Sequence, residues 1–202
     1  NVLKVARDLG AKLVFTSSAA VYGELNEAAR EDLKPNPISF YGVTKLEGEK
    51  LCMKYYQAHG VEAVILRLFN VFGERAKGGV VKIFLERAKE KKPLIIYGDG
   101  EAIRDFIYVE DVVNALIKAA LSEKASGRII NIGCGKPTKV KELARLIVKE
   151  TGVEVIYSSK RKGEIRFSLA DISLAKKSLD WSPKTYVIDW IRKCLRSSPS
   201  SS

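Results

Sequence analysis

Short apolar runs alternate with longer, more polar stretches along the chain. The run at 62–68 reads as a buried parallel strand, and the stretch at 40–59 reads as a helix that follows a proline-marked turn. The predicted strands are 12–16, 62–68, 94–97, 128–132 and 153–157. The predicted helices are 1–9, 40–59, 78–91, 109–121, 138–151, and two near 172–179 and 186–195. This alternation predicts an α/β protein with a mainly parallel sheet.

Tyr41 and Lys45 carry the candidate chemistry. Side chains four residues apart on a helix lie on one face, so the lysine charge favours the phenolate form of the tyrosine. Such a group is both a base and an acid, as reversible alcohol–ketone chemistry requires. Ser18, after the apolar run at 12–15, can hydrogen-bond the same substrate hydroxyl. Tyr-x-x-x-Lys alone often arises by chance, but here it lies in a strand–loop–helix–strand unit.

Five segments, in order, resemble the extended short-chain dehydrogenase/reductases. Within them the chain resembles the NAD-dependent nucleotide-sugar epimerases and dehydratases, closest to the UDP-glucose 4-epimerases. The segments are TSSAAVYG at 16–23, YGVTK at 41–45, RLFNVFG at 67–73, YGDGEAIRDFIYVEDV at 97–112, and RKGE at 161–164 with ADIS at 170–173. The resemblance covers residues 1 to about 184.

The resemblance implies a fold in two parts. Residues 1–74 and 107–133 would form the C-terminal portion of a Rossmann-type parallel sheet. Residues 75–106 and 134–196 would form a small α/β substrate-binding lobe. The serine-rich tail at 197–202 is of low complexity and is expected to be disordered.

NAD is the cofactor that the resemblance implies. Family members hold its pyrophosphate with a Gly-x-x-Gly-x-x-Gly turn that opens a helix. This sequence has no such turn, and the glycines at 98–100 and 133–135 lack its spacing. We therefore expect the chain to be the C-terminal portion of a longer protein and to bind NAD poorly by itself.

Site roles also follow from the resemblance. Ser18, Tyr41 and Lys45 would be catalytic, and Ser17, Tyr41, Lys45 and Phe69 would contact NAD. The residues expected to bind substrate are Ser18, Asn70, Val80, Phe84, Leu94, Arg104, Arg161, Glu164 and Ser168. The two arginines suit a diphosphate because guanidinium forms paired hydrogen bonds to phosphate oxygens, although a single arginine is more often a surface ion-pair partner. The apolar residues in the set are core residues by default. Asp105 is expected to pair with an arginine.

The choice of reaction type is narrowed by Ala19 and Ala20. The similar sugar 4,6-dehydratases place an acid pair there, and UDP-glucuronate decarboxylases carry a glutamate nearby. Alanine can neither donate nor accept a proton, so the sequence favours epimerisation over elimination. Ser168 falls in a loop that sets room around the sugar C2 substituent, and its small side chain suggests that N-acetylated hexoses fit.

The amino-acid composition adds little to these predictions of fold and function. The formal net charge is +11, but basic residues alternate with glutamates at helical spacing, as on solvated helix faces, so nucleic-acid binding is the weaker explanation. Three cysteines without metal-type spacing fit free thiols in a reducing cytoplasm, and no metal site is expected. No apolar run reaches membrane-spanning length.

Two other functions stay open beside the epimerase. The chain could bind nucleotide-sugar without turnover, or it could be an assembly partner in which Tyr41 and Lys45 have lost their role. Family members commonly dimerise through the helix that carries this pair and its neighbour. We therefore expect a homodimer through helices 40–59 and 1–9, with Leu51, Tyr55 and Tyr56 exposed.

Overall fold

A computed structural model describes residues 1–160, 163 and 165–197. This part of the chain contains seven α-helices and eight β-strands. The helices are α1 (Val2–Leu9), α2 (Phe40–His59), α3 (Val80–Lys89), α4 (Val109–Leu121), α5 (Val140–Thr151), α6 (Ser173–Leu179) and α7 (Val187–Ser197). The strands are β1 (Leu13–Ser18), β2 (Ala63–Leu68), β3 (Asn70–Phe72), β4 (Leu94–Tyr97), β5 (Ile103–Tyr108), β6 (Ile129–Ile132), β7 (Pro137–Lys139) and β8 (Val155–Ser158). The predicted α/β class is confirmed.

A parallel sheet in the order β1-β2-β6 carries the candidate chemistry. Successive side chains of a strand point to opposite faces, so alternate residues of β2 enter two cores. Val64 and Leu66 pack with α4, whereas Ala63 and Ile65 pack with Cys52 of α2. This double covering explains why β2 is a continuous apolar run.

Two smaller sheets complete the described structure. β5 pairs parallel with β3 and antiparallel with β7, and β4 pairs parallel with β8. Their apolar side chains share one core with α3, α5 and α7, centred on Phe84, Leu143, Ile147 and Ile191. This core supports one wall of the cavity described below.

The sequence prediction gave no strand at β3, β5 or β7. β5 contains Arg104 and Asp105, and this polar pair hides the strand from a search for apolar runs. β7 has only three residues and begins with Pro137. The predicted strand at 12–16 also ends too early, because β1 continues through Ser18.

The predicted two-part division of the chain stays a prediction. None of the helices in the described ranges is long and apolar enough to cross a bilayer.

Candidate active site

The first turn of α2 is held against the end of β1. The Ser39 hydroxyl accepts a hydrogen bond from Gly42 N at 3.1 Å, which caps the helix. A Cβ atom at Gly42 would lie 2.5 Å from the carbonyl oxygen of Ala20, closer than carbon and oxygen can approach. The glycine therefore lets α2 start directly beside the residues that follow Ser18. Tyr41, next to it, is 55% exposed.

Lys45 lies one turn further along α2 and is fixed to β1. Its Nζ donates a hydrogen bond of 2.8 Å to the carbonyl oxygen of Thr16. The same atom lies 5.7 Å from the centroid of the Tyr41 ring and 5.4 Å from that of Phe15. The ammonium group is thus held at the carboxyl end of β1, near the phenol, as the sequence predicts.

Ser18 is the last residue of β1 and begins a 3₁₀ turn at Ala19–Val21. Its hydroxyl oxygen accepts a hydrogen bond of 3.2 Å from Ala20 N. A serine hydroxyl also has one donor hydrogen, which this contact does not use. The structure therefore brings the three predicted catalytic residues to one place, the carboxyl end of β1.

A cavity of about 410 Å³ opens at the carboxyl end of β3 and beside α3. Of the predicted substrate residues, Asn70, Val80, Phe84 and Arg104 line it. Sequence reasoning missed several further lining residues: Phe72, Gly73, Ala76, Arg87, Ile95, Tyr97 and Phe106. The volume lies in the range of small-molecule sites.

Two polar side chains of this cavity are positioned by backbone contacts. Asn70 Nδ2 donates to the carbonyl oxygen of Asp105 at 3.0 Å. Arg104 Nη1 donates to the carbonyl oxygen of Ile103 at 2.9 Å. Both side chains therefore sit at the junction of β3 and β5.

Leu94 does not line the cavity. It is fully buried among Leu143 and other core residues, whereas its neighbours Ile95 and Tyr97 are lining residues. The alternation of side chains along β4 explains the difference, since a shift of one residue moves a side chain to the other face.

The remaining predicted residues are placed as follows. Ser17 is buried and its hydroxyl donates to Glu49 Oε1, and Phe69 is buried against Val21 and Tyr22. Ser168 is half-buried, and its N–H donates to the Ile103 carbonyl oxygen. Arg161 and Glu164 lie outside the described residues.

In the part of the chain that the structure describes, the Asp105 carboxylate is hydrogen-bonded to backbone N–H groups and not to the expected arginine. Its carboxylate is fully buried and accepts hydrogen bonds from the backbone N–H groups of Cys134, Gly135 and Ala170, at 2.5, 2.9 and 3.1 Å. Burial raises the pKa of Asp105 to about 6, although the three donors act in the opposite direction. The carboxylate joins β5 to two loops.

Cys134 is not a nucleophile in this setting. Burial first, and then the nearby carboxylate of Asp105, raise the pKa of its thiol to about 11. A thiol with so high a pKa contains little of the reactive thiolate near neutral pH.

These observations define a class of protein. A serine and a Tyr-x-x-x-Lys pair at the carboxyl end of a parallel strand are suited to acid–base chemistry on an alcohol, although none of the three lines the cavity beside α3. Residues 1–133 match the model of the NAD dependent epimerase/dehydratase family. The chain belongs to this family.

Relatives with UDP-sugar names match most of the chain. A Methanocaldococcus jannaschii protein with a provisional UDP-glucose 4-epimerase name is 40% identical over an alignment of 202 positions, which covers 96% of this chain and 65% of the relative. A UDP-glucuronate 4-epimerase from Thermodesulfobacterium geofontis is 33% identical over 96% of this chain and 61% of its own. The chain thus spans less than two thirds of the length of these relatives.

Solved structures agree with the fold. A UDP-glucose 4-epimerase from Thermotoga maritima, solved with UDP-glucose, matches with a TM-score of 0.86 and 34% identity, over 96% of this chain and 67% of that one. A UDP-glucuronic acid 4-epimerase from Bacillus cereus, solved with UDP-glucuronic acid and NAD, matches with a TM-score of 0.89 and 33% identity, over 96% and 63%.

Proposed function

We propose that this chain supplies the catalytic and substrate-binding part of a UDP-hexose 4-epimerase that works through a 4-keto sugar with bound NAD. The observation that carries the proposal is the Lys45–Thr16 hydrogen bond, which holds the Tyr41–Lys45 face of α2 at the strand end that bears Ser18. The UDP-sugar names of the relatives support the choice of substrate.

The chain's own residues divide the acid–base work. Tyr41 accepts the proton of the sugar C4 hydroxyl and later returns it. Ser18 donates a hydrogen bond to the same oxygen and stabilises its developing negative charge. The Lys45 ammonium lies 5.7 Å from the Tyr41 ring centroid and places a positive charge beside the proposed base.

The donor groups at the strand end suit the nicotinamide end of NAD. Lys45 and Tyr41 present an ammonium and a hydroxyl where doubly wound sheets bind dinucleotides, and both can hydrogen-bond ribose hydroxyls. Ser17 and Phe69 are the other residues of this chain assigned to the cofactor. NAD, when bound, supplies the hydride acceptor and donor for the reaction.

The cavity beside α3 suits the nucleotide. Val80 and Phe84 provide an apolar wall for the base, and Arg104 and Asn70 provide donors for the diphosphate. Arg161 and Glu164 are assigned to the diphosphate and the ribose on the resemblance alone. The turn after Ser18 contains Ala19 and Ala20, which have no acid for elimination.

Replacement of the proposed base tests the function. The protein that contains this chain is incubated with NAD and UDP-glucose, and formation of UDP-galactose is followed by proton NMR. Tyr41→Phe should lower turnover by about 10²–10⁴-fold, because proton transfer is lost. Tyr56→Phe, on the same helix and also exposed, is the matched control and should stay active. Unchanged turnover in Tyr41→Phe would refute the proposal.

A second candidate is a nucleotide-sugar binder without turnover. One observation favours it: the cavity and its polar side chains Asn70 and Arg104 are supplied by this chain, and none of the proposed catalytic residues lines it. Calorimetric titration with UDP and with NAD separates the two functions. UDP binding that Arg104→Met weakens, with no conversion of UDP-glucose, would favour the binder. An assembly partner would bind neither ligand.

We also propose that the chain forms a homodimer through α1 and α2. Val2, Val5 and Leu9 of α1 and Leu51 of α2 are exposed apolar residues, which supports this surface. Tyr56 is exposed as expected, whereas Tyr55 is half-buried, with its ring 5.0 Å from that of His59.

A further inference from the structure

Glu49 lies on the same face of α2 as Tyr41 and Lys45, at successive steps of four residues. Unlike them it is almost completely buried, with 2% of its surface exposed. Its Oε1 accepts hydrogen bonds from Ser17 Oγ at 2.5 Å and from Arg67 Nε at 2.9 Å, and its Oε2 accepts from Arg67 Nη2 at 2.7 Å. One carboxylate therefore joins α2 to two strands.

The two donors are neighbours in the sheet. Ser17 of β1 lies opposite Arg67 of β2 in the parallel register, and Ser17 directly precedes Ser18. Together with the bond from Lys45 to Thr16, α2 contacts two consecutive residues of β1 through polar side chains. These contacts fix both the height and the rotation of the helix at the strand end.

Arg67 extends the connection to the third strand. Its guanidinium carbon lies 4.6 Å from the centroid of the Tyr22 ring, and Tyr22 OH donates to Asn131 Oδ1 of β6 at 2.8 Å. Arg67 is 1% exposed and Glu49 is 2% exposed, so the ion pair is buried.

Stability alone does not explain such a pair. Removing two charges from water costs free energy that their attraction only partly returns, and apolar replacements of buried pairs are often as stable. What an apolar pair lacks is direction, since its contacts do not define one relative position of helix and strand. The geometry at Glu49 defines that position through three hydrogen bonds.

We propose that Glu49 is a positioning residue, which through Ser17 and Arg67 holds α2 so that Tyr41 and Lys45 meet the sugar hydroxyl together with Ser18. The expected loss of turnover rests on the function proposed above, whereas the expected change in the position of α2 does not. Glu49 itself touches neither sugar nor cofactor.

The test replaces the pair by apolar side chains of similar size, Glu49→Leu with Arg67→Met. Glu49→Gln alone would leave a buried cation without its partner and is less suitable, because it could prevent folding. Cys52→Ala is the matched control, since Cys52 is buried on the same helix and its loss weakens packing without breaking the pair. Thermal unfolding establishes that each variant is folded.

The first readout requires no substrate. The Lys45 ammonium lies 5.4 Å from the Phe15 ring centroid and 5.7 Å from that of Tyr41, so ring currents shift the nearby methylene proton resonances. In the double variant these resonances should move towards their values in an unstructured peptide. In Cys52→Ala they should stay in place.

The second readout is kinetic. The double variant should lose on the order of 100-fold in kcat, since small misplacements of reacting groups cost that much, whereas KM should change little. A folded double variant with unchanged Lys45 resonances and unchanged kcat would overturn the proposal. If Tyr41→Phe leaves turnover intact, the proposed function fails, and the Lys45 resonances still decide the positioning role.

Discussion

At the scale of single residues, Asp105 shows how one buried carboxylate can hold two loops in place. Three backbone N–H groups from two loops donate hydrogen bonds to its carboxylate. Gly133 lies against it, where a Cβ atom would come within 2.7 Å of Oδ2. The loops at 133–135 and 168–170 are therefore held by one side chain.

We predict that Asp105 titrates near pH 6, well above the ordinary aspartate value, because burial disfavours its charged form. The folded state then binds this proton more tightly than the unfolded chain. The contribution of Asp105 to the free energy of unfolding should therefore fall as the pH rises from about 4 to about 6, by about 3 kcal/mol in all.

Carbon-13 NMR of the aspartate carboxyl carbons measures this, with Asp105→Asn to assign the resonance. Asp171 is the internal reference, since its hydrogen bonds with Ser173 lower its pKa. A midpoint for Asp105 below that of Asp171 would mean that the three N–H donors outweigh burial.

Ser168 carries the prediction about the sugar. If the side chain borders the C2 substituent, Ser168→Tyr in the complete enzyme should reduce turnover of UDP-N-acetylglucosamine much more than that of UDP-glucose, because only the N-acetyl group needs the space. Parallel assays of both sugars before and after the change measure the ratio. An equal loss for both would contradict the assignment.

The sequence predicted which residues belong to the site better than it predicted which way their side chains face. Tyr41 and Lys45 were predictable as neighbours because residues four apart share one face of a helix, whereas Ser18 was assigned to the same site through the family resemblance. Leu94 was assigned to the wrong face because a run of four apolar residues does not reveal which alternate positions point to the cavity. The hydrogen bonds of Glu49 were not predicted because its partners, Ser17 and Arg67, are distant in sequence.

At the scale of elements, the contact between α2 and the turn after β1 determines the site. Gly42→Ala should destabilise the protein by about 1–3 kcal/mol, because the new Cβ overlaps the Ala20 carbonyl oxygen and the Pro37 side chain. At an unobstructed helix position the same change would stabilise by up to about 1 kcal/mol. Urea unfolding distinguishes the two signs, and a gain in stability would show that the contact is looser than the structure indicates.

Whether a strand could be predicted from the sequence depends on where in the chain the partners of its side chains lie. β2 was predictable because it is an apolar run covered by helices, and so was the apolar first half of β1. β5 was not, because Asp105 in its centre is satisfied by residues 29, 30 and 65 positions further along the chain. The local pattern of apolar and polar residues does not reveal a buried polar group whose hydrogen-bond partners are brought to it by the tertiary fold.

At the scale of the whole molecule, apolar residues form exposed rows on different helices. One row lies on α1 at Val2, Val5 and Leu9, and another lies on α4 at Val113, Ile117 and Leu121. Rows of this kind indicate surfaces that contact other protein. The proposed dimer uses α1 and α2, so α4 offers a comparison within the same chain.

Leu51 and Ile117 are a matched pair for testing the dimer, since they are 51% and 54% exposed on α2 and α4. Leu51→Glu should convert the protein to monomers, because a self-complementary interface places the new charge close to its own copy and buries both. Ile117→Glu should leave the dimer intact. Light scattering across a range of concentrations measures the mass of each variant. Dissociation by Ile117→Glu alone would move the interface to α4.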